Sequence, residues 1–282
     1  MRKLLVLLLL SLIFFACSRE TSEKSLLIMC GSANRPPMKE IADLYEQETG
    51  IKVYLLYGSG GTLLSQIELT RKGDIYLPGS PDYIIKARNK NLIFPDSTRQ
   101  VCYLIPTIIT PKGNPKGIRT LQGLGNSGMK VGIGNPDTVC MGLYALELLE
   151  KNHQLEQVMK NVVVYGGSCS KTANLAALNK VDAIIGWRVL HFWNPDKMDF
   201  IPLEPECLPR ISYIPITIPV YAQDKDESQK FIDFVISEKG KQIYQKWGYV
   251  ADKAIALSFT EHATIGGECI LPGKYLQLIQ KR

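Results

Sequence analysis

Apolar residues along the chain fall into short runs that alternate with helix-spaced stretches. Ser25 to Cys30 (SLLIMC) is a run suited to a buried strand, and it ends at Gly31-Ser32. Met38, Ile41, Ala42 and Tyr45 then keep the i, i+3, i+4, i+7 spacing of one helix face, which Gly50 closes. Ile51 to Tyr57 (IKVYLLY) reads as a second strand. It runs into Gly58-Ser59-Gly60-Gly61-Thr62 and a helical stretch with Leu63, Leu64 and Ile67, and Asp74 to Leu77 is a third strand. The rhythm returns further on: Lys130 to Ile133 leads through Gly134 to Gly142 into an amphipathic stretch ending at Leu149. Asn161 to Tyr165 leads through Gly166-Gly167-Ser168-Cys169-Ser170 into a helix reaching Leu178, and Asp182 to Trp187 is one more buried strand. Strand, loop, helix in this order predicts parallel strands with crossover helices, with ligands at the carboxyl ends of the strands.

Two long extended runs interrupt the rhythm, Val101 to Thr110 and Ile211 to Val220, both β-branched and punctuated by proline. They read as strands at sheet edges or crossovers. As the two passages between lobes, they divide an α/β chain into a first lobe over residues 25–104 and 211–282 and a second over 105–210. The tail from Ile255 carries a turn at Ile265 to Cys269 and a short helix over Lys274 to Lys281, expected to dock on the first lobe.

Composition narrows the function. The 282 residues are 45% hydrophobic and 21% charged, a folded globular profile long enough for two ordinary lobes. The net charge of +6 is scattered rather than gathered into a basic block, which argues against nucleic acid as a partner. Three histidines, His153, His191 and His262, leave no metal-ligand spacing. No metal or cofactor is expected.

Residues 1–16 read as a secretory signal, with Arg2 and Lys3 ahead of a leucine run from Leu4 to Leu10. The apolar stretch to Ala16 is shorter than the roughly 20 residues that cross a bilayer. Phe14-Phe15-Ala16-Cys17 resembles the lipobox of bacterial lipoproteins, which implies acylation of Cys17 and a polar tether over residues 17–24. Export permits disulfides among the other six cysteines, Cys30, Cys102, Cys140, Cys169, Cys207 and Cys269. Their spacing matches no zinc ribbon or C-x-x-C motif and leaves connectivity open. Cys102 and Cys207 lie near the two crossings, where a bridge would stiffen the hinge. Cys30, Cys140 and Cys169 lie in or beside candidate pocket loops, either as packing or disulfide residues or as a thiol-lined site.

Four small-residue loops at strand ends carry the functional signal. Backbone N–H groups at a helix start have no intrahelical acceptor and carry partial positive charge, so several aimed at one spot make an anion site. Their order resembles that in the periplasmic molybdate-binding proteins of ABC importers, a type II two-lobed solute-binding family. The matching residues are Gly31-Ser32-Ala33-Asn34, Tyr57 to Leu63 with Gln66-Ile67, Gly73-Asp74-Ile75, and Gly134-Asn135-Pro136-Asp137 with Gly142-Leu143-Tyr144-Ala145. The resemblance implies a monomeric, non-catalytic protein that captures molybdate or tungstate and passes it to an ABC permease at the membrane.

Carried over residue by residue, it implies that Ser32 donates its hydroxyl and N–H, and that Ser59, Gly60 and Gly61 donate N–H groups. The family often places serines where this chain has Gly60 and Gly61. In the second lobe the implied donors are Met141 and the neighbourhood of Cys169 and Ser170. Trp187 stands where the family usually has a ligand-contacting tyrosine, and Arg188 beside it could add charge-assisted bonds. The alternative keeps the fold and gives it another small anion or a soft metal species, held by Trp187, Arg188 and the pocket cysteines. A cysteine nucleophile with a histidine base finds no support in the spacing.

Overall fold

A computed structural model describes residues 24–280; the signal segment, Cys17 and the tether up to residue 23 lie outside the described residues. Among the described residues no helix is long and apolar enough to cross a membrane.

The first lobe is built on three parallel strands in the order β2-β1-β3, with β1 at Ser25–Gly31, β2 at Lys52–Gly58 and β3 at Ile75–Leu77. Leu26, Ile28 and Cys30 on one face of the central strand and Met29 on the other are buried, as a strand covered on both faces requires. Helix α1 (Arg35–Thr49) lays Met38, Ile41, Ala42 and Tyr45 on the sheet and ends at Gly50, whose φ of 73° is the left-handed cap that glycine adopts without strain. Helix α2 (Gly60–Thr70) follows β2, and α3 (Pro81–Asn89) follows β3.

The second lobe has five strands in the order β7-β6-β8-β5-β9. Strands β6 (Val131–Gly134), β7 (Val162–Gly166) and β8 (Ala183–Trp187) are parallel, whereas β5 (Pro106–Pro111) runs antiparallel to β8 and to β9 (Met198–Ile201). Its helices are α4 (Cys140–Lys151), α5 (Leu155–Met159), α6 (Cys169–Ala177) and α7 (Val189–Trp193).

The lobes are joined by two strands lying side by side. β4 (Arg99–Leu104) pairs antiparallel with β10 (Arg210–Ile216), Tyr103 opposite Tyr213. Both extended runs pass between the lobes; β4 lies at the edge of its sheet, whereas β5 sits between β8 and β9, and β10 between β4 and β11 (Thr264–Ile265). Pro106 and Pro111 stand at the ends of β5, and Pro215 stands at a register shift in β10, so each missing N–H falls where the ladder is already interrupted.

Beyond β10 the chain adds α8 (Lys225–Ile236) and α9 (Glu238–Lys246) beside α1. Helix α10 (Lys253–Leu257) then leads into the tail. The last helix, α11 (Gly273–Gln280), packs against α5 of the second lobe, not against the first lobe as expected. Apolar surface decides this. Tyr275 is buried in the core cluster that contains Leu155, Val158 and Met159.

Candidate functional site

The strand ends of the two sheets face each other, and the loops there touch across the lobes. After β1, a short turn over Ser32–Asn34 buries Ser32, whose Oγ accepts the backbone N–H of Ser170 at 3.2 Å. After β2, extended Ser59 caps α2: its Oγ accepts the Thr62 N–H and donates to the Thr62 Oγ1 at 2.7 Å. Gly61 donates its N–H to the Thr138 carbonyl of the other lobe at 3.0 Å, and the Gly60 carbonyl accepts the Tyr76 hydroxyl. Gly79, in the loop after β3, has its backbone against the Cys140 sulfur so closely that a β-carbon there would lie 2.8 Å from it.

From the second lobe come two helix starts. Ser168 caps α6 through the Lys171 N–H, while α4 begins after Val139 with no side-chain cap, leaving its first N–H groups without an acceptor of that kind. The first residues of these helices, Cys140 and Cys169, bring their sulfurs to 3.9 Å, both buried. The Cys169 thiol is held below its ordinary value by the hydrogen bond from Cys140, then by the Trp187 indole N–H and the backbone N–H groups of Met141 and Cys169; burial works against them. Cys140 moves the opposite way, pushed up by the same hydrogen bond and by burial. The pair therefore shares one proton that stays on Cys140 as Cys169 ionises.

Trp187 is fully buried and meets Tyr144 edge to face at 4.9 Å. Its N–H makes no well-formed hydrogen bond although it lies near enough to the Cys169 sulfur to favour the thiolate. Ser80 Oγ and the hydroxyls of Tyr83 and Tyr144 are likewise buried without a hydrogen-bond partner. Each adjoins the loops that touch across the lobes: Ser80 follows Gly79, Tyr83 packs its ring on Gly60 and Gly61, and Tyr144 packs on Trp187. Buried orphan polar groups are rare, and several around one cleft mark a place for a polar guest.

The structure thus joins Ser32 to Ser170, sets Met141 and Trp187 beside Cys169 and places Gly60 and Gly61 against Tyr83 and Thr138, while Ser59 is engaged in capping α2. It does not bring Arg188 to them. That guanidinium stacks at 4.7 Å on Phe192, also faces Phe200 and Phe259, and donates to the Gly248 carbonyl. Burial holds it below the usual arginine value. It lines a separate small cavity with Ile105, Pro202 and Leu203. The expected hinge disulfide is absent too, since Cys102 and Cys207 are both free thiols and pack in different core clusters.

Sequence reasoning also missed a neighbouring network. Arg210 donates from Nη1 and Nη2 to Asp82 Oδ1 at 3.2 Å and from Nε to Glu147 Oε2 at 2.8 Å, joining α3 of one lobe to α4 of the other. The tail completes it: the Gly267 carbonyl accepts from Arg210, and the Cys269 N–H donates to Asp82. The Glu147 carboxyl is pushed up by burial, against the pull of Arg210. Arg210 lies 4.0 Å from the centre of the Tyr144 ring, so Tyr144 stands between this network and the cleft. The buried cation nearest the cleft is therefore already engaged by two carboxylates, and Asp82 Oδ2 is left without a hydrogen-bond partner.

Residues 26–250 match the family described as bacterial extracellular solute-binding protein. A candidate binding protein of Haemophilus influenzae is 26% identical over 230 residues, 81% of this chain and 91% of that protein. A candidate ABC transporter substrate-binding lipoprotein of Bacillus subtilis is 24% identical over 239 residues, 83% and 90% of the two chains. Among solved structures, the sulfate-binding protein of Mycobacterium tuberculosis superposes with a TM-score of 0.72 at 14% identity, covering 84% of this chain and 90% of that one. The periplasmic molybdate-binding protein of Azotobacter vinelandii gives 0.70 at 17%, covering 81% and 100%. At those identities the likeness is one of fold, a type II periplasmic binding protein fold. The chain belongs to the bacterial extracellular solute-binding protein family, a family of binding proteins and not of enzymes.

Proposed function

We propose that this solute-binding protein captures a small tetrahedral oxyanion, molybdate or tungstate first among them, and delivers it to an ABC permease while tethered to the membrane by an acylated Cys17. One observation carries the reading: N–H donors and unpartnered buried hydroxyls gather where the loops of the two lobes meet, and the buried cation beside them, Arg210, is already engaged by Asp82 and Glu147. Neutral dipoles suit an oxyanion in a site that excludes water, because they hold it without the desolvation cost of a fixed cation. Parting of the lobes would free Ser32 Oγ, the Ser170 N–H and the Gly61 N–H from one another's partners for the anion, and closure would aim the Met141 N–H and Trp187 Nε1 at it. The Azotobacter and Mycobacterium neighbours support it, because molybdate and sulfate are both tetrahedral oxyanions. The Bacillus relative supports transport and lipid attachment.

Titration calorimetry of the mature chain with molybdate, tungstate, sulfate and phosphate tests this. Tight molybdate or tungstate binding with sulfate at least about tenfold weaker is expected, a gap of 1.4 kcal/mol. Heat from none of the four removes the reading. The 3.9 Å sulfur pair favours a second reading, a thiophilic cation held between two thiolates. It predicts saturable binding of monovalent copper that alkylation of the thiols abolishes.

A further inference from the structure

Two thiols stand at the point where the anion donors converge. The Cys140 and Cys169 sulfurs are 3.9 Å apart at the first turns of α4 and α6, and both helices belong to the second lobe, so a bond between them would leave the hinge free to move. The Met141 N–H, the Cys169 N–H and the nearby Trp187 indole favour a Cys169 thiolate, and two of them, the Met141 N–H and the indole, are assigned above to the oxyanion. A thiolate at Cys169 is in effect an internal anion that competes with the solute for them.

We propose that Cys140 and Cys169 are a reversible dithiol–disulfide pair that gates the anion site, weak when reduced and receptive when oxidised. The proposal rests on the oxyanion reading of the cleft. The oxidant is a disulfide, either of a small molecule or of an oxidoreductase. The Cys169 thiolate attacks one sulfur of it, forming a mixed disulfide and expelling one thiolate. Cys140 then gives its proton to solvent, and its thiolate attacks the Cys169 sulfur, forming the Cys140–Cys169 bond and expelling the second thiolate. Two cysteine thiols are oxidised and one disulfide is reduced to two thiols. Closing the bond moves the sulfurs from 3.9 Å to about 2.05 Å. An extracellular compartment favours that product, and a stabilised thiolate favours the first attack.

The remaining thiols do not compete for this role. Cys30 and Cys269 donate to the carbonyls of Gly31 and Leu143, Cys102 is buried in the hinge strand β4, and Cys207 is half-buried against a different core cluster. The Cys140 sulfur rests against Gly79 of the first lobe, so parting of the lobes is what uncovers it.

The test uses the mature chain equilibrated with reduced or with oxidised glutathione and titrated with molybdate and tungstate. Oxidation should lower the mass by two hydrogens, give a Cys140–Cys169 peptide and tighten anion binding at least about tenfold, a 1.4 kcal/mol change. Cys140→Ser and Cys169→Ala should each lose the redox dependence, and Cys102→Ser should keep it. Equal affinity in the two states, with the disulfide mapped, overturns the gate and leaves the oxyanion reading standing. Failure of the disulfide to form at any glutathione ratio also overturns the gate alone. Absence of anion binding in both states overturns the oxyanion reading and the gate with it.

Discussion

The two lobes meet through two regions of opposite electrical character. In one, Arg210 is 3% exposed and is saturated by Asp82, Glu147 and tail carbonyls, so its charge is used up in holding α3, α4 and the tail together. In the other, Trp187, Tyr83, Tyr144 and Ser80 keep polar atoms without partners, and the interlobe hydrogen bonds are single neutral ones, Ser170 to Ser32 and Gly61 to Thr138. Paired buried charges resist separation because each leaves the other unsolvated, whereas neutral donors exchange one acceptor for another at little cost. The contrast separates what fixes the lobes from what is left available to a solute. Tyr144 touches both regions.

The contrast is broken most forcefully at Arg210. Arg210→Met leaves Asp82 buried and uncompensated and should cost about 3–5 kcal/mol, read by urea unfolding. Adding Asp82→Asn should recover more than half of that loss; no recovery would mean that the arginine acts through packing on Tyr144 instead. Trp187→Phe deletes the N–H and leaves a small cavity beside Tyr144, so anion affinity should fall about tenfold while stability falls by about 1–3 kcal/mol. Ser32→Ala removes one neutral hydrogen bond across the lobes, with an expected loss of about three- to tenfold in affinity by calorimetry. The smallest effect should come from Arg188→Ala. It should weaken folding by about 1 kcal/mol through its ring contacts yet leave anion affinity within about twofold, because its charge points away from the cleft. A larger affinity loss would move Arg188 into the site and erase the division between the regions.

How legible these regions are in the sequence follows from their range. Ser32, Gly61, Met141 and Ser170 each sit where an apolar run ends in small residues before a helix-spaced stretch, a signal contained within a few positions. Gly79-Ser80-Pro81 has the same form, with proline at the helix start, but its strand is only three residues long and gives little apolar signal. Tyr83 and Tyr144 look like ordinary core positions until the orphaned hydroxyls are seen in place. The Arg210 network joins residues 63 and 128 positions apart, and no local pattern announces it. Arg188 follows Trp187 directly, yet its backbone turns helical at the start of α7 and sends the side chain to the phenylalanines. Adjacency in sequence is no guide to direction there.

Gly60 and Gly61 set a constraint on the history and the redesign of this cleft. A β-carbon at Gly60 would lie 2.5 Å from the Tyr83 ring, and one at Gly61 would lie 3.0 Å from the Thr138 Cα of the opposite lobe. Serine cannot replace Gly60 before Tyr83 gives way to a smaller residue, and at Gly61 it forces the lobes to rest farther apart. Substitutions in this loop are therefore epistatic and ordered. A lineage that trims Tyr83 first can regain hydroxyl donors one at a time, while one that starts from the glycines meets a fitness valley at its first step.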